Sequence, residues 1–192
     1  MSDFWLYVKL GLDHVLDLNG YDHILFLVAL CAAYSFNAWR KLLLLVTLFT
    51  IGHTISLLLA HYNIVAIRGE YVELLIPITI LATALYNIFN ARRTKPSTAN
   101  LIFYLVTLFF GLIHGFGFAR YYNMMKTDES VAPLLEFALG VELAQIIIVL
   151  LTLLLSFLAV GILRFNKRDW LLIMSSIVIG MTIPMVADTW PF

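Results

Sequence analysis

The chain has 192 residues, of which 62% are hydrophobic and only 12% charged, about half the ~25% charged share of a soluble domain. With a mean hydropathy of +0.94, an ordinary water-soluble protein is excluded. Twelve Lys and Arg balance twelve Asp and Glu, so no net field draws an anionic polymer and nucleic acid is excluded as a partner.

The stretch from Phe4 to Leu18 is too short and too polar to span a bilayer, and reads as a short N-terminal interfacial or re-entrant helix leaning on a bundle. It carries Lys9, Asp13, His14 and Asp17 after Asp3, with no basic region ahead of an apolar one. Nothing there resembles a cleaved secretory signal, so the mature chain is expected to begin near Met1. A spanning helix needs roughly 20 apolar residues, and six runs follow. They are Tyr21 to Trp39, Leu42 to Tyr62, Tyr71 to Phe89, Leu101 to Tyr121, Pro133 to Leu163 and Trp170 to Ala187. The fifth is over-long and should tilt or project beyond the bilayer. Because the runs are continuously apolar rather than alternating, helices are expected and not a barrel. The expected fold is all-α: a polytopic membrane bundle of six transmembrane helices plus the short N-terminal helix, in one domain over residues 1–192.

The connections after spans one, three and five hold Arg40, Lys41, Arg92, Arg93, Lys95, Arg164, Lys167 and Arg168. The opposite side holds only Lys9, Arg68, Arg120 and Lys126. Excess Lys and Arg marks the cytoplasmic face, which puts both termini outside. Trp5, Trp39, Trp170 and Trp190 fall near span ends, as interfacial anchors do.

In that orientation every acid except Asp169 lies in outer loops or the outer half of the membrane, and so do all five histidines. Asp22 and His23 stand at the outer entrance of span one, just after His14 and Asp17. His53 is nine residues before Tyr62 and His114 seven before Tyr121, so at 1.5 Å per residue they lie about 13 and about 10 Å below the outer ends of their spans. Glu73 begins span three, and Glu142 and Gln145 share one face of span five. Intramembrane acids and histidines normally face the bundle interior, pair, or bind an ion. Imidazole with carboxylate suits zinc, nickel, cobalt or iron. The single Cys31 excludes an internal disulfide and a cysteine-rich metal module, and the six Met residues form no cluster for copper(I).

The candidate metal ligands are therefore His14, Asp22, His23, His53, His114 and Glu142, with Asp17, Glu73 and Gln145 in supporting or entry positions. Each has a plainer reading. Asp17 and Asp22 are good helix caps, His53 can bond to Thr50 or Ser56 one turn away, and Glu142 with Gln145 can form an interhelix hydrogen-bonded clamp. Glu73 lies near enough the surface to stay hydrated. His61, at the end of span two, reads as a solvated interface residue outside the site. LFTIGH (Leu48 to His53) and FFGLIH (Phe109 to His114) echo one another, too faintly to establish a repeat.

The segments GLDHVLDLNGYDHILF (Gly11 to Phe26), FTIGHTISL (Phe49 to Leu57), ELLIPITI (Glu73 to Ile80), FFGLIHGFGFA (Phe109 to Ala119) and ALGVELAQ (Ala138 to Gln145) together resemble the HupE/UreJ membrane proteins associated with hydrogenase and urease accessory genes. The family's His and Asp-His pair falls on His14 and Asp22-His23, its second-span histidine on His53, its HG segment on His114-Gly115 and its GVE segment on Gly140-Val141-Glu142. This chain has a longer interval between His14 and Asp22 than many members. The resemblance implies uptake of nickel or cobalt across a bacterial cytoplasmic membrane.

Three functions are open on the residues. A divalent-cation permease would capture nickel, cobalt or zinc from the outside; its inner half, with Thr47, Thr83, Asn87, Thr107, Thr152 and Ser156 but no acid, offers few strong ligands. An intramembrane metal-dependent hydrolase would use three or four of the histidines and Asp22 or Glu142 as general base, although no HExxH is present. A metal-stabilised subunit of a membrane complex, or a homo-oligomer, is the third.

Overall fold

The structure is a computed structural model that describes residues 3–65, 67–92, 101–125 and 130–190. Arg93, Lys95 and Lys126, used above for orientation, lie outside the described residues. Those described form seven α-helices: α1 (Asp3–Leu16), α2 (Asp22–Ala32), α3 (Trp39–His61), α4 (Gly69–Asn90), α5 (Leu101–Met125), α6 (Ala132–Ser156) and α7 (Lys167–Asp188). A 3-10 turn, Phe36–Ala38, precedes α3, and α6 runs on as a π-helix over Phe157–Ile162. Five helices, α3 to α7, are long and apolar enough to cross a membrane. The outward faces fit lipid: on α6, Leu143, Ile147, Leu150, Leu151 and Leu154 are all exposed, a surface a soluble monomer does not carry.

The first expected span differs. In place of one helix from Tyr21 to Trp39 there is the 11-residue α2, a break at 33–35 and the short turn before α3. Eleven residues rise only about 16 Å, against the ~30 Å of a bilayer core. A helix that ends at such depth is tolerated only where protein satisfies its free carbonyls. Here α2 packs against α4, α6 and α7, eight of its residues are buried, and the Asn87 amide of α4 donates to Ala29 O at 2.7 Å. Hydropathy registers an apolar run and cannot register a break whose polar groups are paid for by another helix.

Lipid tails are as apolar as leucine, so helices associate in a membrane through close packing rather than the hydrophobic effect. α3 packs chiefly along α5, and α1 along α6. At the first crossing a Cβ on Gly52 would stand 2.1 Å from Leu108 O, one on Gly111 2.2 Å from Phe49 O, and one on Gly115 2.4 Å from His53 O. Phe49 lies against Gly111 and, further along both helices, His53 and Ser56 lie against Gly115, so α3 and α5 run in the same direction, and backbone touches backbone. The second crossing uses Gly11 against Phe137 O and Gly140 against Val8 O. These two crossings draw α1, α3, α5 and α6 together at one level, where the histidines lie. α1 is thereby a bundle member on one face: Tyr7, Val8, Gly11 and Val15 are buried while Trp5, Lys9 and Asp13 are exposed.

Candidate metal centre

His14 on α1, His23 on α2, His53 on α3 and His114 on α5 meet in the interior. His23, His53 and His114 are almost wholly buried. Ring centroids are 4.7 Å apart for His14 and His23, 5.7 Å for His14 and His53, 5.8 Å for His23 and His53, and 5.2 Å for His23 and His114. One nitrogen each from His14, His23 and His53 lies within 4.8 Å of the others.

The hydrogen bonds settle which nitrogens are available. His114 Nδ1 is 2.8 Å from Phe110 O. A carbonyl only accepts, so Nδ1 carries the proton and Nε2 keeps its lone pair. His23 Nδ1 is 2.9 Å from Asp22 Oδ1, and a carboxylate behind an imidazole fixes its tautomer and raises its basicity as a ligand. The same Asp22 oxygen accepts from the His23 backbone N–H at 2.8 Å, which holds it in place. Among the described residues the Nε2 atoms of His14, His23, His53 and His114 are all buried without a hydrogen-bond partner. An orphaned buried polar atom is costly, and four in one chamber form a nitrogen donor set. Of these, His14, His23 and His53 are close enough together that they could hold one metal ion, and a nitrogen donor set suits a first-row ion. The packing alternative for His53 is not what is seen. Ser56 Oγ donates to the His53 carbonyl at 2.7 Å, and Thr50 Oγ1 donates to the Glu142 carboxylate.

The walls are aromatic. The Phe118 ring is tilted against that of His14 with centroids 3.9 Å apart, and Phe137 lies beside both His14 and His53. Phe49 packs on His114 at 5.0 Å and Phe26 at 5.4 Å. A shell of this kind keeps water from the nitrogens and controls the local dielectric. None of the four phenylalanines was singled out in the sequence as part of a site. Phe49 has a weak signal in standing four residues before His53, as Phe110 does before His114.

The remaining candidates lie apart from the imidazoles. Both Glu142 oxygens are engaged by α3, one by Thr47 Oγ1 at 2.6 Å and the other by Thr50 Oγ1. Gln145 Oε1 lies 3.1 Å from the same Thr50 hydroxyl and shares its single proton with Glu142. This is the interhelix clamp, and it lies in a surface groove lined by Thr47, Thr50, Thr54, Leu135 and Ala138 among others, with no histidine in its wall. Thr47 and Thr50, one turn apart, are the partners of Glu142, whereas the sequence offers Thr50 to His53 instead. Asp17 is exposed and accepts from Asn19 N at 2.8 Å, shaping the turn before α2. Glu73 is exposed at the start of α4. His61, expected to be solvated, is instead 3% exposed, its ring set edge-on to Tyr62 at 4.9 Å. The chain turns back over it, with Ile64 N donating to Leu59 O.

A family model described as HupE / UreJ protein matches residues 1–190. The chain belongs to the HupE/UreJ family. No curated protein and no solved structure matches it. The match takes in all five helices long enough to cross a membrane and all four converging histidines, so this is a helical membrane protein of that family.

Proposed function

We propose that this HupE/UreJ protein is a permease for a divalent transition-metal ion, nickel or cobalt, in a bacterial cytoplasmic membrane, with the four-imidazole chamber as the site that receives the ion from the extracytoplasmic side. One observation carries the reading: among the described residues four Nε2 atoms, from four helices, are buried without a hydrogen-bond partner, and three of these imidazoles, those of His14, His23 and His53, could hold one ion. Neutral imidazoles suit a membrane site because they hold a dication without burying several negative charges beforehand. They also match the nitrogen-rich ligation that nickel favours, high in the affinity order of divalent ions. His14, His23, His53 and His114 would be the ligands, Asp22 the carboxylate that orients His23, and Glu142 the clamp that fixes α6 to α3. Asp17 and Glu73, exposed on the same side, would attract the ion toward the entrance.

In this reading both termini are outside and there are six crossings, the first made by α2 together with residues 33–38. The two carboxylates available as a general base are already committed, Asp22 to His23 and Glu142 to two threonines, which weighs toward carriage and against hydrolysis. The test is uptake of labelled nickel by proteoliposomes containing the purified chain. Inward flux that His53→Ala and His114→Ala abolish is expected. Stoichiometric binding with no flux of nickel, cobalt or zinc would overturn the transport reading.

A further inference from the structure

A second compartment lies on the other side of the molecule. A cavity of about 760 Å³ is lined by α2, α4, α5 and the start of α7, within the ~300–1,000 Å³ range of small-molecule sites. Its inner end is formed by Phe26 and Phe110, the residues that separate it from the imidazoles: Phe26 stacks on Phe49 at 4.8 Å, and Phe110 O holds His114. Its walls are largely apolar, with Leu30, Ala33, Val106 and Leu171 among them.

Two features define what fits there. The mouth carries Arg92, Lys167 and Arg168, and Lys41 Nζ stands 5.7 Å over the ring of Tyr34, another wall residue. No acid is among the lining residues. Among the described residues none of Arg92, Lys167 and Arg168 has an ion-pair partner, and nearby Asp169 is hydrogen-bonded to Asn166. Such a mouth repels a dication and attracts an anion. The second feature is a lateral opening: Ala82 and Tyr86 on α4, and Ile102 and Val106 on α5, line the cavity and are also exposed. A hydrocarbon chain in the bilayer can enter between those helices without crossing water.

We infer that this cavity is a binding site for an acidic phospholipid, its phosphate held by Arg92, Lys167 and Arg168 and an acyl chain lying between α4 and α5 against Phe26 and Phe110. Basic pockets between membrane helices on the cytoplasmic side are the setting in which anionic headgroups are held. The Lys and Arg excess puts this mouth on that side. The site stands independently of the metal chamber.

The test is native mass spectrometry of the full chain purified in detergent and given equal amounts of phosphatidylglycerol and phosphatidylcholine with identical acyl chains. One phosphatidylglycerol per chain is expected to be retained in preference. Each cation neutralised in the series Arg92→Gln, Lys167→Gln and Arg168→Gln should lower that preference about fivefold, while the triple charge-conserving variant R92K/K167R/R168K keeps it. Ala82→Trp, at an exposed position, fills the apolar compartment and should reduce retention with every charge in place. Equal retention of the two lipids, a preference that survives the triple Gln variant, or no effect of Ala82→Trp would each overturn the inference. So would displacement of the lipid by inorganic phosphate at equal concentration, which would mark a site for free anions.

Discussion

Gly52→Ala adds one methyl group at the α3/α5 crossing, and its consequence reaches the proposed metal chamber without touching a histidine. The new Cβ would meet Leu108 O at 2.1 Å and Leu112 N at 3.0 Å, whereas real Cβ contacts essentially never fall under 3.0 Å. Both obstacles are backbone, which cannot swing aside as a side chain does, so the helices must part locally by the difference, 0.9 Å. His53 follows Gly52 directly and moves with it, while His14, His23 and His114 are carried by other helices. Metal sites hold ligand distances to about 0.2 Å, so a displacement several times larger removes His53 from any shared coordination sphere. Overpacking of this kind costs about 1–3 kcal/mol of stability. Isothermal titration of nickel into the purified variant should show affinity at least about tenfold weaker, equivalent to about 1.4 kcal/mol. Thermal unfolding followed by circular dichroism should show a lowered midpoint. Gly180→Ala is the control, since nothing lies within 4 Å of its Cβ: nickel affinity should not change and the midpoint should not fall, because Ala favours a helix interior over Gly. If Gly52→Ala binds nickel and unfolds like Gly180→Ala, the backbone-on-backbone account of the chamber is wrong.

Asp22→Asn weakens the acceptor behind His23 Nδ1 and should cost about 10- to 100-fold in metal affinity, read in the same titration; an unchanged affinity would mean that Asp22 does not orient the ring. Glu142→Ala should leave nickel affinity within about twofold while lowering the thermal midpoint, because it strands two threonine hydroxyls at a loss of about 1–3 kcal/mol; loss of binding with unchanged stability would make Glu142 a ligand instead.

The amino-acid sequence by itself determined that the protein is helical and lives in lipid, because twenty-residue apolar runs have no other stable disposition. It also brought His14, His23, His53 and His114 into consideration, since depth along a helix follows from a residue count. Only the tertiary structure decided which donors share a chamber. Depth says nothing of azimuth: Thr50 and His53 are three residues apart on α3, yet one faces Glu142 and the other faces His14 and His23. Glu142 was thus legible as an intramembrane acid but not as the partner of Thr47 and Thr50. The end of α2 was invisible for the same reason, because the group that satisfies it, Asn87, stands 58 residues away. Burial of His61 and the cavity under Phe26 likewise belong to packing between distant segments, which no local pattern encodes.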